Sequence, residues 1–387
     1  MANISKYNKS RFVSYLFGFI PSLCSIFTKR DKNLIVLNSF HNNSFSDNTK
    51  FLFEYLKNSE NKKILYVVND DDLRKQLSEQ YGDYFIETKS IKGIKKVLSA
   101  YIWFTNSFEF PVNGIFLNIR RTVIQLTHGA PIKNAGLCEY DVSFLKKIYY
   151  GLVKTNLSFV LSTGSVFDDY IARHAGISKK KVLTSSYPRY DPLFNNVYTK
   201  VDFGDNSRRV LYAPTWRHYA KVKLFPFSDF EIESLNCYLK EKNIKIYIRI
   251  HPRFEDDIPE NLLKYSNLVL FSGKQYQDIN EYLGNFDALI TDYSSIMYDF
   301  MILDRPIFYF PYDYDDYLKN VGFGVEYNKF AVGYHSMTQK DFINDLEDAF
   351  SKDSYREQRR NISKLSSGES KTNCKDLITQ LKERNIF

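Results

Sequence analysis

Ala288-Leu-Ile-Thr-Asp-Tyr-Ser-Ser-Ile-Met-Tyr-Asp299 is the stretch on which the fold turns. Its first four residues carry no charge and read as a strand buried on both faces. A short polar turn follows, and from Ile296 the apolar residues take up helical spacing. A buried strand that runs through a turn into a helix is half of a βαβ unit. Ser294 and Ser295 stand where that helix begins, so backbone N–H groups and the positive end of the helix dipole suit an anion such as a pyrophosphate. The rival is a plain N-cap serine pair that needs no ligand. Asp299, about one turn further on, is placed to hydrogen-bond ribose hydroxyls.

Working outward, the same alternation recurs along the chain. Strands are predicted at 210–213, 244–250, 268–271, 288–291 and 307–310 in the second half, and at 34–40, 64–69, 101–105, 123–127 and 159–162 in the first. Apolar runs separated by amphipathic stretches are the mark of parallel sheets covered on both faces. Two such series predict an α/β protein of two doubly wound, Rossmann-like domains facing across a cleft. Pro188, Pro192, Gly204 and the polar residues Asp202, Asp205, Asn206 and Ser207 mark the joint. The expected division is a segment 1–30, a first domain 31–200 and a second domain 201–387, with residues 338–387 as two closing helices.

The 387 residues allow two ordinary domains, and a formal charge of +8 favours anionic partners. No block of Lys and Arg with interleaved aromatics speaks for nucleic acid, and none is expected as a partner. Cys24, Cys138, Cys237 and Cys374 are scattered, which favours a reducing compartment and disfavours structural zinc. Neither a metal nor a cofactor is expected. The acidic runs 70–72 and 313–316 read as solvated loops.

Residues 12–27 are apolar, with Lys6, Lys9 and Arg11 before them and Lys29, Arg30 and Lys32 after. They fall short of the roughly 20 residues that span a bilayer. Phe12, Leu16, Phe19, Ile20, Leu23 and Phe27 recur at helical spacing, with Ser14, Ser22 and Ser25 off that stripe. An interfacial amphipathic helix fits this pattern; a helix packed on the protein's own core is the alternative. A cleaved signal peptide is rejected, because no small-residue cleavage site precedes the charges.

Three further segments each follow a predicted strand, where open α/β sheets bind their ligands. In Gln125-Leu-Thr-His-Gly-Ala-Pro-Ile-Lys133, His128 sits on a turn beside Gly129, with Lys133 within short reach. An imidazole there can take the proton from an attacking hydroxyl, or be structural. In Tyr212-Ala-Pro-Thr-Trp-Arg217, Thr215 and Arg217 form a clamp for phosphoryl oxygens, or a surface arginine beside a packing tryptophan. In Ile248-Arg-Ile-His-Pro-Arg253, strand alternation puts Arg249 and His251 on one side. His251 there steadies a leaving phosphate, or is a buried, satisfied histidine.

In these residues the chain from about 30 to 350 closely resembles the CDP-glycerol:glycerophosphotransferase family of teichoic acid and capsule biosynthesis. The resemblance rests on His128-Gly129…Pro131…Lys133, Ala-Pro-Thr-Trp-Arg, Arg-x-His-Pro and Thr-Asp-Tyr-Ser-Ser with Asp299. It implies a GT-B-like fold with an acceptor-side first domain and a CDP-donor-binding second domain. His128 would be the catalytic base and His251 a second essential histidine. Thr215, Arg217, Arg249, Ser294 and Ser295 would bind the donor phosphates, Asp292 and Asp299 the cytidine ribose. Lys133, Arg189 and Gly129 would support the site. The implied reaction moves glycerol phosphate, or a related alditol phosphate, from CDP-glycerol to a glycan or lipid-linked acceptor, releasing CMP. It also implies peripheral attachment to the cytoplasmic face of the membrane. The sequence departs from the family at Thr127, Ala130 and Val321-Gly322-Phe323. The alternatives are a GT-B glycosyltransferase using a nucleotide sugar and an inactive membrane-surface adaptor.

Overall fold

The computed structural model describes residues 18–387; residues 12–17 of the expected amphipathic segment lie outside the described residues. Two compact units emerge. Unit 1 comprises the chain up to Gly129, Ala135–Asp191 and Thr372–Phe387; unit 2 comprises Ala130–Asn134 and Pro192–Lys371. The crossing at Asp191 and Pro192 falls within the stretch that proline and glycine marked, earlier than the expected limit at 200.

Unit 1 holds seven strands: β1 (Asp31–Asn38), β2 (Lys63–Val67), β3 (Phe85–Ile86), β4 (Ala100–Thr105), β5 (Thr122–Gln125), β6 (Phe159–Ser162) and β7 (Val182–Thr184). Their spatial order is β3-β2-β1-β4-β5-β6-β7, every pair parallel. Unit 2 holds β8 (Arg208–Tyr212), β9 (Ile244–Ile248), β10 (Leu268–Leu270), β11 (Ala288–Thr291), β12 (Ile307–Tyr309) and β13 (Tyr334–His335) in the order β10-β9-β8-β11-β12-β13, again all parallel. All ten predicted strands are present. The edge strands β3, β7 and β13, two or three residues long, are additions. Strand order reverses between β1 and β4 in unit 1 and between β8 and β11 in unit 2. Those reversals are the switch points at which such sheets leave room for a ligand.

The middles of the strands are largely apolar, as in parallel sheets covered on both faces. Val36, Leu37, Trp103, Phe104, Val123 and Ile124 are fully buried in unit 1, as are Leu211, Ile246, Leu289 and Ile290 in unit 2.

The N-terminal helix α1 (Phe19–Phe27) presents its apolar stripe outward: Phe19, Ile20, Leu23, Ile26 and Phe27 are exposed, Phe27 by 83%, while Ser25 is 2% exposed. Its serine side faces the protein. Ser22 Oγ accepts from the Ile115 amide at 2.9 Å, and Arg30 Nη2 donates to Ser25 Oγ at 2.9 Å. A Cβ on Gly18 would stand 2.7 Å from the Gly114 amide nitrogen, so glycine is needed for this close approach. No helix among the described residues is long and apolar enough to cross a membrane.

Residues 338–387 form three helices rather than the expected two: α4 (Gln339–Ser351), α5 (Arg356–Ser367) and α6 (Asn373–Glu383). Asp353 and Gly368, both at positive φ, break the run. A capping box of Thr338 and Asp341 starts α4. The fully buried Arg359 of α5 pairs with Asp353 at 2.6 Å and with Asp304, from the turn before β12, at 3.3 Å. Helix α6 belongs to unit 1, although it lies in the stretch expected to complete the second domain. Asp191 holds its start by accepting from the Asn373 and Cys374 amides at 2.5 and 3.0 Å.

Candidate active site

In unit 1, β5 ends at Gln125 and the chain turns sharply. Thr127 takes φ 56°, a left-handed conformation that costs a β-branched residue on the order of 1–3 kcal/mol. A set of buried side chains holds it there. Thr127 Oγ1 meets the Tyr187 hydroxyl at 2.6 Å, and Asn48 Nδ2 donates to the Thr127 carbonyl at 3.0 Å. Arg189 Nη1 donates to the His128 carbonyl at 3.0 Å and to Asp47 Oδ1 at 2.6 Å. The Arg189 guanidinium lies 4.8 Å above the Tyr187 ring and is 2% exposed. The turn therefore points the His128 ring outward, exposed, edge-on to Phe40 with centroids 5.4 Å apart. Arg189, expected as a supporting residue, grips the backbone of His128. Lys133 lies on the strap Ala130–Asn134, which is part of unit 2, and pairs there with Phe323. Asn134 N and Gly324 N donate to Gly322 O and Ile132 O at 3.0 Å, and Tyr298 Oη donates to the Pro131 carbonyl at 3.0 Å. Gly129 is the last residue before that strap.

In unit 2 the three motif loops follow β8, β9 and β11, adjacent strands of the sheet. Asp292 organises the turn after β11. Its Oδ1 accepts from the Thr215 and Tyr293 amides at 2.7 and 2.6 Å, and its Oδ2 lies 2.9 Å from Arg217 Nη1. Arg217 also bonds Asp313 through Nε at 2.6 Å and Nη2 at 2.8 Å, and the Thr215 carbonyl at 2.6 Å. Its side chain is 0% exposed, beneath the rings of Tyr312, Tyr293 and Tyr317. Burial alone would lower the guanidinium, yet Asp313 and Asp292 carry it above its ordinary value. Burial opposes the Asp313 carboxylate too, and Arg217 holds it below the usual range.

The Arg217 donors are committed to two carboxylates and a carbonyl. Asp292 is 1% exposed, with its carboxylate engaged by the loop. One expectation is corrected: Asp313 pairs with Arg217 in a buried ion network and is not part of a solvated acidic run. Trp216, beside the buried arginine, is instead half-exposed, stacked at 10° on Phe254.

What remains for a ligand is narrower. The Thr215 hydroxyl is buried with no hydrogen-bond partner, and so is Arg249 Nη1. Buried polar groups are rarely left unpaired, and each costs about 1–3 kcal/mol. Arg249 Nη2 donates to the Gln277 carbonyl at 3.1 Å, and burial lowers this guanidinium. Strand β9 stops at Ile248, so alternation does not govern Arg249 and His251. Arg249 turns inward above Phe271, whereas His251 is exposed. His251 Nδ1 accepts from the Arg253 amide at 3.2 Å, so in the neutral ring the proton sits on Nε2. A cavity of about 870 Å³ lies beside it, lined by Trp216, His218, Lys221, Phe225, Phe254 and Ile258 among others. Ser294 and Ser295 are half-buried before α3 (Ile296–Met301), which is only six residues long. Ser294 Oγ accepts from the Ile296 amide at 3.4 Å, and Ser295 makes no capping bond. Asp299 is 4% exposed on α3.

Asp47 and Asn48 were not singled out from the sequence, and Asp313 was read as part of a solvated run. The Asp-Asn pair at the start of helix α2 (Asp47–Ser59) was the one local signal, since such residues favour helix starts.

Exposed imidazoles at strand ends of both units, with the buried Thr215 hydroxyl and Arg249 Nη1 in unit 2, are groups suited to a phosphate-linked donor. The chain belongs to the CDP-glycerol:poly(glycerophosphate) glycerophosphotransferase family, whose model matches residues 22–380. It is 28% identical over 322 residues to a teichoic acid glycerol-phosphate transferase of Staphylococcus aureus, covering 78% of this chain and 80% of that protein. It is 29% identical over 329 residues to a teichoic acid poly(glycerol phosphate) polymerase of Bacillus spizizenii, covering 79% and 80%. The solved wall teichoic acid polymerase TagF superposes with a TM-score of 0.74 at 21% identity, covering 98% of both chains, which establishes the shared fold.

Proposed function

We propose that the chain transfers glycerol phosphate from CDP-glycerol to a hydroxyl of a glycan or lipid-linked acceptor in cell-surface polymer synthesis. His128 takes the acceptor proton as the hydroxyl oxygen attacks the phosphorus that bears the glycerol. The bond from that phosphorus to the bridging oxygen breaks in line, and CMP leaves with the electron pair. Thr215 Oγ1, Arg249 Nη1, the Ser294–Ser295 turn and His251 Nε2–H stabilise the charge that gathers on the departing phosphate, and Asp299 serves the ribose. Positioning and electrostatics supply most of the acceleration, as elsewhere in phosphoryl transfer. The observation that carries the reading is the pair of buried, partnerless donors on neighbouring strand ends, Thr215 Oγ1 and Arg249 Nη1. Bound phosphate oxygens would satisfy both.

Helix α1 supports a location at the cytoplasmic membrane surface, since its exposed stripe lies between basic flanks. Ile20→Asp with Leu23→Asp is expected to abolish sedimentation with anionic vesicles.

The test of the reaction uses CDP-glycerol labelled with ³²P in the glycerol phosphate and with ¹⁴C in the glycerol. Both labels are expected in the acceptor product in equal proportion. Glycerol transferred without phosphorus would refute the mechanism.

A further inference from the structure

The switch point of unit 1 lies between β1 and β4, and the mechanism above leaves it unused. Two loops meet there, one after each strand. In the first, His41 takes φ 54° and ψ 11°, and Asn42 follows at φ 56°, so two successive residues other than glycine adopt the left-handed region. The second loop supplies Glu109. One of its carboxylate oxygens accepts from the His41 amide at 2.5 Å, and the other lies 3.1 Å from His41 Nδ1. Both oxygens therefore grip a single residue, by backbone and by ring. The loops are tied further by Asn38 Nδ2 to the Glu109 carbonyl at 2.8 Å and Asn42 Nδ2 to the Phe110 carbonyl at 3.1 Å. The Glu109 side chain is 18% exposed, while that of His41 is 60% exposed. Phe40, next in sequence, lies edge-on to the His128 ring.

A carboxylate that engages Nδ1 orients the imidazole and sets the direction in which Nε2, on the opposite edge of the ring, points. We infer that His41, oriented by Glu109, binds the acceptor through a hydroxyl of its terminal polyol or sugar unit. The Glu109 charge sets the ligand class, because a carboxylate at this point repels a phosphate while a hydroxyl is free to donate or accept. His41 is then the acceptor-binding group and Glu109 its positioning residue. The inference rests on the proposed reaction only for the existence of a hydroxylated acceptor.

Two substitutions with opposite geometry test it in the full chain. His41→Asn tolerates the left-handed backbone and reproduces the Nδ1 position but lacks the reach of Nε2; His41→Gln reproduces Nε2 and loses Nδ1. The measurements are acceptor KM and kcat with an oligo(glycerol phosphate) primer, CDP-glycerol Kd by calorimetry, and the thermal midpoint. The expected result for H41N is an acceptor KM raised about tenfold or more, with donor Kd and midpoint unchanged; H41Q retains most of the acceptor affinity. The reverse order, H41N harmless and H41Q impaired, would show a purely structural tie and overturn the inference, as would an acceptor KM within twofold of wild type in both. Glu109→Gln is expected to raise acceptor KM less than H41N. Direct titration of the primer into wild type and H41N without donor reads the site even if CDP-glycerol proves not to be the donor. A failed double-label transfer by the wild-type enzyme would therefore count against the reaction and not against this site.

Discussion

The two units hold their candidate chemistry in opposite ways. In unit 1, the polar side chains around His128 bond to one another and to its backbone, and the strain at Thr127 is carried by that network. In unit 2, the same class of side chain is divided. Arg217 forms ion pairs with Asp292 and Asp313, while Thr215 Oγ1 and Arg249 Nη1 are buried with no hydrogen-bond partner. The difference teaches that a base needs to be aimed, whereas a site for a charged diphosphate needs donors held in reserve. Around His128 the hydrogen bonds serve direction; at the ends of β8 and β9, Thr215 Oγ1 and Arg249 Nη1 are buried without a protein partner.

The comparison breaks most visibly at His128. His128→Ala is expected to lower kcat by about 10²–10⁴-fold, with donor Kd and thermal midpoint unchanged, because the exposed ring is not what holds the turn. Kinetics with calorimetry and thermal melts check it, and a loss under tenfold would end the general-base assignment. Arg217→Ala should act on stability first. It leaves two buried carboxylates unpaired at about 3–5 kcal/mol, read as a drop in the denaturant midpoint. Were Arg217 instead a phosphate ligand, the fold would survive and donor affinity alone would fall.

Thr215→Val sharpens the contrast more gently. Removing a hydroxyl that has no protein partner should leave stability unchanged or slightly raised, while donor Kd rises about tenfold, the worth of one hydrogen bond to a charged group. The smallest effect concerns acid. His174 is stacked between Phe108 and Tyr170, with Nδ1 2.9 Å from the Ala135 carbonyl. Burial pushes it down to about 4 from an ordinary 6.5. A lowered histidine is neutral in the fold and binds its proton more readily when unfolded, so its contribution is complete above pH 6.5 and fades toward pH 4. Unit 1 should therefore lose stability across that interval, and His174→Gln should flatten the loss in pH-dependent melts.

Much of this could be read from residues close together in the chain. The apolar runs at 34–40 and 288–291 announced buried strands because every side chain in such a strand faces a helix layer. Strands β3, β7 and β13 are too short to carry a pattern. The His128 and His251 loops were legible because they follow strand ends. The fate of Arg217 was not, since its partner Asp313 lies 96 residues away. Whether a polar group is spent or spare depends on such distant neighbours, and no local spacing records it. The direction of the α1 stripe was legible in the same local way, from serines at one side and apolar residues at the other.

The route of the chain has a consequence for how the protein is made. Asp191 grips the start of α6, whose residues are translated only after all of unit 2. Unit 1 therefore cannot close until residues 372–387, which follow all of unit 2, have been made. The unit begun first is thus closed last, and a nascent chain paused near Lys371 carries an unsealed first unit.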